Sequence, residues 1–206
     1  LNKSIQSALN QTFTEIEIII VDDNKPDTEA RILTEKIVKK YIKLSKKIIY
    51  LKHSKNKNGA AARNTGISIA KGKYISFLDS DDEYAPDRIE KCYTIMEQST
   101  AKDAGVYTGC IFKRNGKTYN VNSKVNEGNF MLETLACTFM FSTGSNIFVR
   151  KNVIDELNGF DDSFSRHQDY EFLVRLFENY NLKAISEVLV LKNDENLNLP
   201  SVKKMI

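Results

Sequence analysis

Residues 15–23 read EIEIIIVDD, a dense apolar run that stops abruptly at the acid pair Asp22-Asp23. Unbroken Ile and Val from Ile18 to Val21 suit a strand covered on both faces, as the strands of a parallel sheet are. The same grammar recurs at residues 74–82, YISFLDSDD, where a second apolar run is cut off by Asp79, Ser80, Asp81 and Asp82. Ahead of the first run, Leu1, Ile5, Ala8 and Leu9 recur at helical spacing. Between the runs, Leu33, Ile37, Tyr41 and Leu44 predict the inner stripe of a helix with lysines on its far side. Residues 48–51 predict a strand, and residues 59–70 a helix of small side chains able to lie close on a sheet. Pro86 suits the start of a further helix, whose inner stripe is Ile89, Cys92, Tyr93 and Met96. Alternation of this kind predicts a three-layer α/β unit with a mostly parallel sheet.

Past Gly105 the pattern changes. Val106 to Phe112, an Asn115-Gly116 turn signal and Lys117 to Val121 predict a hairpin. Ser145 to Val149 and Ala184 to Leu191 predict strands, and Leu173, Leu176, Phe177 and Tyr180 mark a late helix. No repeat or linker interrupts the chain, so a single domain over residues 1–206 is expected, with an α/β half (1–100) and a mixed half (101–206).

Composition narrows the function classes. The 206 residues are 41% hydrophobic and 28% charged, an ordinary balance for a folded domain. Cys92, Cys110 and Cys137 share no CxxC spacing, which argues against zinc or a disulfide framework and suits a reducing cytoplasm. No apolar run reaches the ~20 residues of a membrane span, and no signal peptide is evident. The net charge of +3 names no partner, but residues 36–57 hold nine lysines and no acid. Such a run reads first as a solvated helix face, and next as attraction to anionic headgroups or nucleic acid.

Ligands of open α/β sheets collect at the carboxyl ends of the parallel strands. Both predicted strands that end in acids deliver carboxylates there, where they repel unless a cation or hydrogen-bond donors offset them. The Asp79-x-Asp81 spacing suits a hard divalent ion held by one or two carboxylates plus substrate phosphates; helix capping by Asp82 or Asp87 is the plainer reading. Residues 58–64, NGAAARN, bring helix-start N–H groups and the forked donor Arg63 to the same region. In residues 164–172, FSRHQDYEF, Asp169 and Glu171 sit near a helix N-terminus, where carboxylates complement the dipole and where an acid facing a cleft can take a proton from a hydroxyl. Walker A and GxGxxG signatures are absent. A DxD phosphatase wants Ser or Thr at the position of Glu83, and the lysine stretch lacks the stacking aromatics of a nucleic-acid module beyond Tyr41 and Tyr50.

Taken in order, SIQSALNQTF (4–13), EIIIVDD (17–23), Asn58-Gly59 through RNTG (63–66), GKYISFLDSDD (72–82), and Gly159-Phe160-Asp161 leading into HQDYEF (167–172) resemble the bacterial family 2 glycosyltransferases of capsule, lipopolysaccharide and exopolysaccharide synthesis. The resemblance covers about residues 3 to 180. It implies a GT-A fold, a three-layer sandwich in which residues 1–100 bind the nucleotide and residues 101–206 the acceptor. It implies an inverting, metal-dependent transfer from a nucleotide diphosphate sugar, UDP-linked above all, to a carbohydrate or lipid-linked carbohydrate acceptor. Asp22 and Asp23 would lie at the nucleotide, with Asp23 accepting from the base. Arg63, Asp79 and Ser80 would hold the donor, and Asp81 with Asp79 would ligate Mn²⁺ or Mg²⁺. Asp169 would be the general base, and Arg166, His167 and Glu171 would border the acceptor. The setting implied is cytoplasmic, at the inner face of the plasma membrane, with no nucleic-acid partner. Members of the family begin with a strand ahead of the helix that opens this chain, so an exposed sheet edge is expected where that strand would lie.

Overall fold

The computed structural model describes residues 1–139 and 144–193. Helix α1 (Asn2–Leu9) leads into β1 (Ile18–Asp22), α2 (Glu29–Ile42), β2 (Ile48–Lys52), α3 (Gly59–Ile69) and β3 (Tyr74–Ser76). There follow β4 (Glu83–Tyr84), α4 (Arg88–Glu97), the long β5 (Asp103–Arg114), β6 (Lys117–Asn122) and α5 (Met131–Leu135). A 3₁₀ turn (Gly144–Asn146), β7 (Phe148–Arg150), α6 (Lys151–Glu156), α7 (Gln168–Phe177) and β8 (Asn181–Asn193) complete the described chain.

The expected α/β class is found, and the sheet is mixed. Strands β1 and β2 pair in parallel as a two-stranded sheet, and a six-stranded sheet runs β3-β7-β5-β8-β4 with β6 added to the far half of β5. Within the larger sheet only β5 and β8 are parallel; the other pairings are antiparallel. The parallel pairing expected of EIEIIIV is found between β1 and β2, but the mostly parallel central sheet is not: among the described residues β1–β2 and β5–β8 are the parallel pairs. Among the described residues β1 pairs only with β2, and β3 only with β7, so each has one edge without a strand partner.

Both faces of the larger sheet are covered, as β7 shows: its Val149 packs with α3, α6 and α7 residues, while Phe148 packs with Cys92 and Met96 of α4. The stripe predicted for α4 faces inward, Cys92 and Met96 buried and Ile89 and Tyr93 half-buried, and Arg88 is buried beside it. The Asn115-Gly116 signal makes the β5–β6 turn with both residues at positive φ, 49° and 72°. The strand predicted from Ser145 begins later, at Phe148, because Asn146 turns inward to bond Thr108 across the sheet.

The stripe predicted for α2 holds in its middle, where Ile37 and Tyr41 pack inward, and fails at its two ends. The buried residues of α2 are Arg31, Val38 and Tyr41, while Leu33 and Leu44 are 55% and 70% exposed. In the first turn Arg31 takes the inward place, its guanidinium drawn under the end of β1, and Leu33 faces out.

Candidate active site

Asp22 and Asp23 follow one another at the end of β1 and do different work. Successive strand side chains point to opposite faces, and here the Asp22 carboxylate turns into the fold. It accepts from Tyr50 Oη (2.6 Å), Asn24 N (3.0 Å) and Asn24 Nδ2 (2.7 Å), with Arg31 Nε 3.2 Å away. The Nε contact is a charge contact only, off the line of a hydrogen bond; Arg31 Nη2 donates to the carbonyls of Asp22, Asn24 and His53. Arg31 therefore ties the end of β1 to the end of β2. Burial, and next the bond to Asp22, push the Tyr50 phenol well above its usual range.

Asp23 faces the loop that precedes α3. Its Oδ1 accepts from His53 Nδ1 (2.7 Å) and Lys57 N (2.8 Å), and its Oδ2 from Asn56 Nδ2 (3.0 Å) and Asn58 N (2.9 Å). Burial works to raise this carboxyl, but the His53 bond and the two backbone N–H bonds outweigh it and hold Asp23 below the usual carboxylate range. His53 Nε2 lies 2.9 Å from Thr65 Oγ1, so the acid is braced against α3 as well. Asn58, at φ 113°, caps α3 by accepting from Ala61 N and donates to the carbonyl of Asp162.

Arg63 stands at the centre. Projecting from α3, its Nη2 donates to Asp79 Oδ1 (2.9 Å), its Nη1 reaches Gln168 Oε1 (3.4 Å), and its guanidinium carbon lies 5.4 Å from the Phe160 ring centre. A methyl group on Gly144 would stand 3.0 Å from Arg63 Nη2 and 3.9 Å from Asp169 Oδ2. One on Gly59 would meet Gln168 Oε1 at 3.2 Å. The first turns of α3 and α7 thus converge, with Arg63, Asp79 and Asp169 around the meeting point, and helix starts carry partial positive charge that favours an anion there.

The four residues after β3 divide by depth. Asp79 is half-buried and its N–H donates to Ser145 Oγ, while Ser80 and Asp81 are exposed. Asp82 is fully buried and accepts from Ser145 Oγ (2.7 Å) and Asn193 N (3.2 Å). Burial pushes its carboxyl up to about 6, with Ser145 and Lys192 acting in the opposite sense. Among the described residues no donor is paired with the Asp81 carboxylate, and no cluster of three or more His, Cys, Asp or Glu forms a cage for a metal. Two neighbouring aspartates, one of them open to solvent, nonetheless fit a hard ion that keeps waters and completes its shell with substrate phosphates.

On α7 the two acids separate clearly. Asp169 Oδ1 accepts only from Tyr170 N (3.1 Å), and its Oδ2 has no partner among the described residues. Glu171 is gripped by Arg175 Nε and Nη2, and Arg175 also holds the carbonyls of Leu157 and Gly159. Glu171, expected at the acceptor, is occupied as part of a structural clasp. Arg166 and His167 are exposed ahead of α7, with His167 in the left-handed region at φ 58°.

The residues that set this geometry include several to which the sequence reading assigned no role. Arg31 lies in what reads as a lysine helix, and His53 follows β2 without a motif. Asn64 lies inside the RNTG stretch; its amide exchanges two hydrogen bonds with the Phe160 backbone, at 2.7 and 2.8 Å, and so fixes the turn that leads to Asp169. Gly159 stands there at φ 70°, where a Cβ would come within 2.5 Å of Asn64 Oδ1. Gly159→Ala is expected to destabilise the fold by about 1–3 kcal/mol, read from urea unfolding, because both the backbone and the clasp resist the methyl group. Unchanged unfolding would mean that this turn does not carry the contact.

An uncharacterized glycosyltransferase of Methanocaldococcus jannaschii is 31% identical over 194 residues, covering 92% of this chain and 64% of that protein. The amylovoran biosynthesis glycosyltransferase AmsB of Erwinia amylovora is 30% identical over 170 residues, covering 80% of this chain and 55% of that protein. The chain therefore spans less than two thirds of these relatives' length. Among solved structures, S. aureus TarS 1-349 in complex with UDP shares the fold, with a TM-score of 0.72 at 16% identity, over 93% of this chain and 55% of that one. The family model for glycosyl transferase family 2 matches residues 1–157, which is most of the sequence, and the chain belongs to that family.

Proposed function

We propose that this chain transfers a sugar from a nucleotide diphosphate donor, a UDP-sugar first among them, to an acceptor hydroxyl with inversion, in the synthesis of a cell-surface polysaccharide. The observation that carries this reading is Arg63, which links the acid loop after β3 to the first turn of α7. A diphosphate placed where α3 and α7 converge meets Arg63 and helix-start N–H groups, while the free oxygen of Asp169 lies close by. Asp169 takes the proton of the acceptor hydroxyl as its oxygen bonds to the anomeric carbon. The bond from that carbon to the donor phosphate breaks, and the diphosphate leaves with the electron pair. Asp81 and Asp79 would hold Mn²⁺ or Mg²⁺, which when bound offsets the charge growing on the departing diphosphate.

The relatives' names support this direction: one is called an amylovoran biosynthesis glycosyltransferase, and one structure contains UDP. Asp23 remains our choice for the nucleobase, with Asp22 behind it. Its oxygens already accept four bonds, so a base would take the place of one loop donor. The acceptor is a carbohydrate, free or lipid-linked, and the enzyme works on the cytoplasmic side. A thermal-shift titration with UDP and Mn²⁺ tests the site. Stabilisation that requires both and is lost in Asp81→Ala is expected; equal stabilisation of that variant removes Asp81 from the site.

A further inference from the structure

The outward side of α2 carries a combination that the transfer reaction does not use. With Arg31, Val38 and Tyr41 turned inward, the opposite side presents Ile32 (63% exposed), Leu33 (55%), Lys36, Lys40 and Lys43, and just past the helix Leu44 (70%). At helical spacing Ile32, Lys36, Lys40 and Lys43 form one stripe, and Leu33, Lys36, Lys40 and Leu44 a neighbouring one, with Glu29 as the one acid, at the N-terminal end of this face. Lys39 and Lys52 are drawn to Glu35, and Lys40 leans over the Tyr41 ring. Lys36, Lys43 and Lys46 have no acidic partner among the described residues.

We infer that this face of α2 is a docking surface for an anionic lipid bilayer. A bilayer interface rewards both components at once. Ammonium groups meet phosphates at headgroup level, and aliphatic side chains between them enter the boundary just below. A nucleic acid would reward the lysines alone. It would leave Ile32, Leu33 and Leu44 in water, and the aromatic ring of this helix, Tyr41, is buried and unable to stack on bases. No membrane-crossing helix is present among the described residues, so contact through this face is peripheral. The inference does not rest on the transfer reading, and vesicle binding reports on it without any measure of activity.

The test is sedimentation of the chain with phosphatidylglycerol–phosphatidylcholine vesicles, against phosphatidylcholine vesicles alone. Binding to the anionic vesicles that weakens with added salt is expected. Lys36→Gln/Lys40→Gln/Lys43→Gln should weaken partitioning on the order of 100-fold. Ile32→Ser/Leu33→Ser/Leu44→Ser should also weaken it while leaving its salt dependence in place. As a control, Lys113→Gln/Arg114→Gln/Lys117→Gln removes equal charge from the β5–β6 hairpin and should leave binding unchanged; melting curves confirm that each variant is folded. The proposal fails if anionic vesicles are not preferred, or if the hairpin variant loses as much binding as the α2 variant. It also fails if a DNA oligonucleotide is bound in place of vesicles, sensitive to the lysine changes and indifferent to the serine ones.

Discussion

Asp169→Asn is expected to lower kcat by about 10²–10⁴-fold, the usual contribution of a positioned general base. The substitution keeps the side chain's shape and the oxygen that accepts from Tyr170 N, so the first turn of α7 stays as it is. What it removes is proton affinity at the one carboxylate oxygen on this turn that has no partner among the described residues. Binding of UDP, followed by calorimetry or thermal shift, should change little, because in the proposed arrangement Arg63 holds the diphosphate and Asp169 serves the acceptor. Glu171→Gln makes the contrast: it breaks a paired clasp with Arg175 and should cost stability more than turnover. A kcat for Asp169→Asn close to that of the unaltered chain would remove Asp169 as the base, and a larger kinetic loss in Glu171→Gln would transfer the role.

Arg31→Met should cost about 3–5 kcal/mol of folding stability, the range for removing one partner of a buried ion pair. Arg31 is 6% exposed and the Asp22 side chain is fully enclosed. After the change the Asp22 charge keeps only neutral donors, Tyr50 and Asn24, and three carbonyls at the ends of β1 and β2 lose their shared donor. For a chain of this size the loss corresponds to a fall in Tm of roughly 10 °C. Asp22→Asn combined with Arg31→Met should recover part of it, since the double change removes the uncompensated charge. Equal unfolding of the single variant and the original chain would show that Asp22 and Arg31 are not coupled. UDP affinity should fall with stability, because Arg31 also fixes the Asn24 and His53 carbonyls on either side of Asp23.

How far the sequence carries depends on whether a feature is local. The acid that ends β1, the Asn-Gly hairpin and the inward side of α4 are written in neighbouring residues and are found where expected, while β3 ends at Ser76, ahead of its acids. Predicting α2 by apolar spacing selects Leu33, Ile37, Tyr41 and Leu44 as inner residues, and the middle two do pack inward. In the first turn the structure buries Arg31 in place of Leu33, because the carbonyls of Asp22, Asn24 and His53 and the Asp22 carboxylate all converge on its guanidinium. The sheet's mixed character is equally non-local, since apolar runs record burial and leave strand direction open.

The sequence by itself determined the α/β class, the order of the acid-bearing loops, and the resemblance that named Arg63, Asp79, Asp81 and Asp169 together. Only the tertiary structure decided which acids are free to act. Asp22 and Asp23 are adjacent in the chain, yet one is locked into the fold by Arg31 and the other braces the loop before α3. Asp169 and Glu171 share a helix turn, yet one faces the convergence of α3 and α7 and the other is held by Arg175. The physical reason is that a carboxylate's chemistry follows from the donors around it, and in a folded chain those donors come from residues far away in sequence.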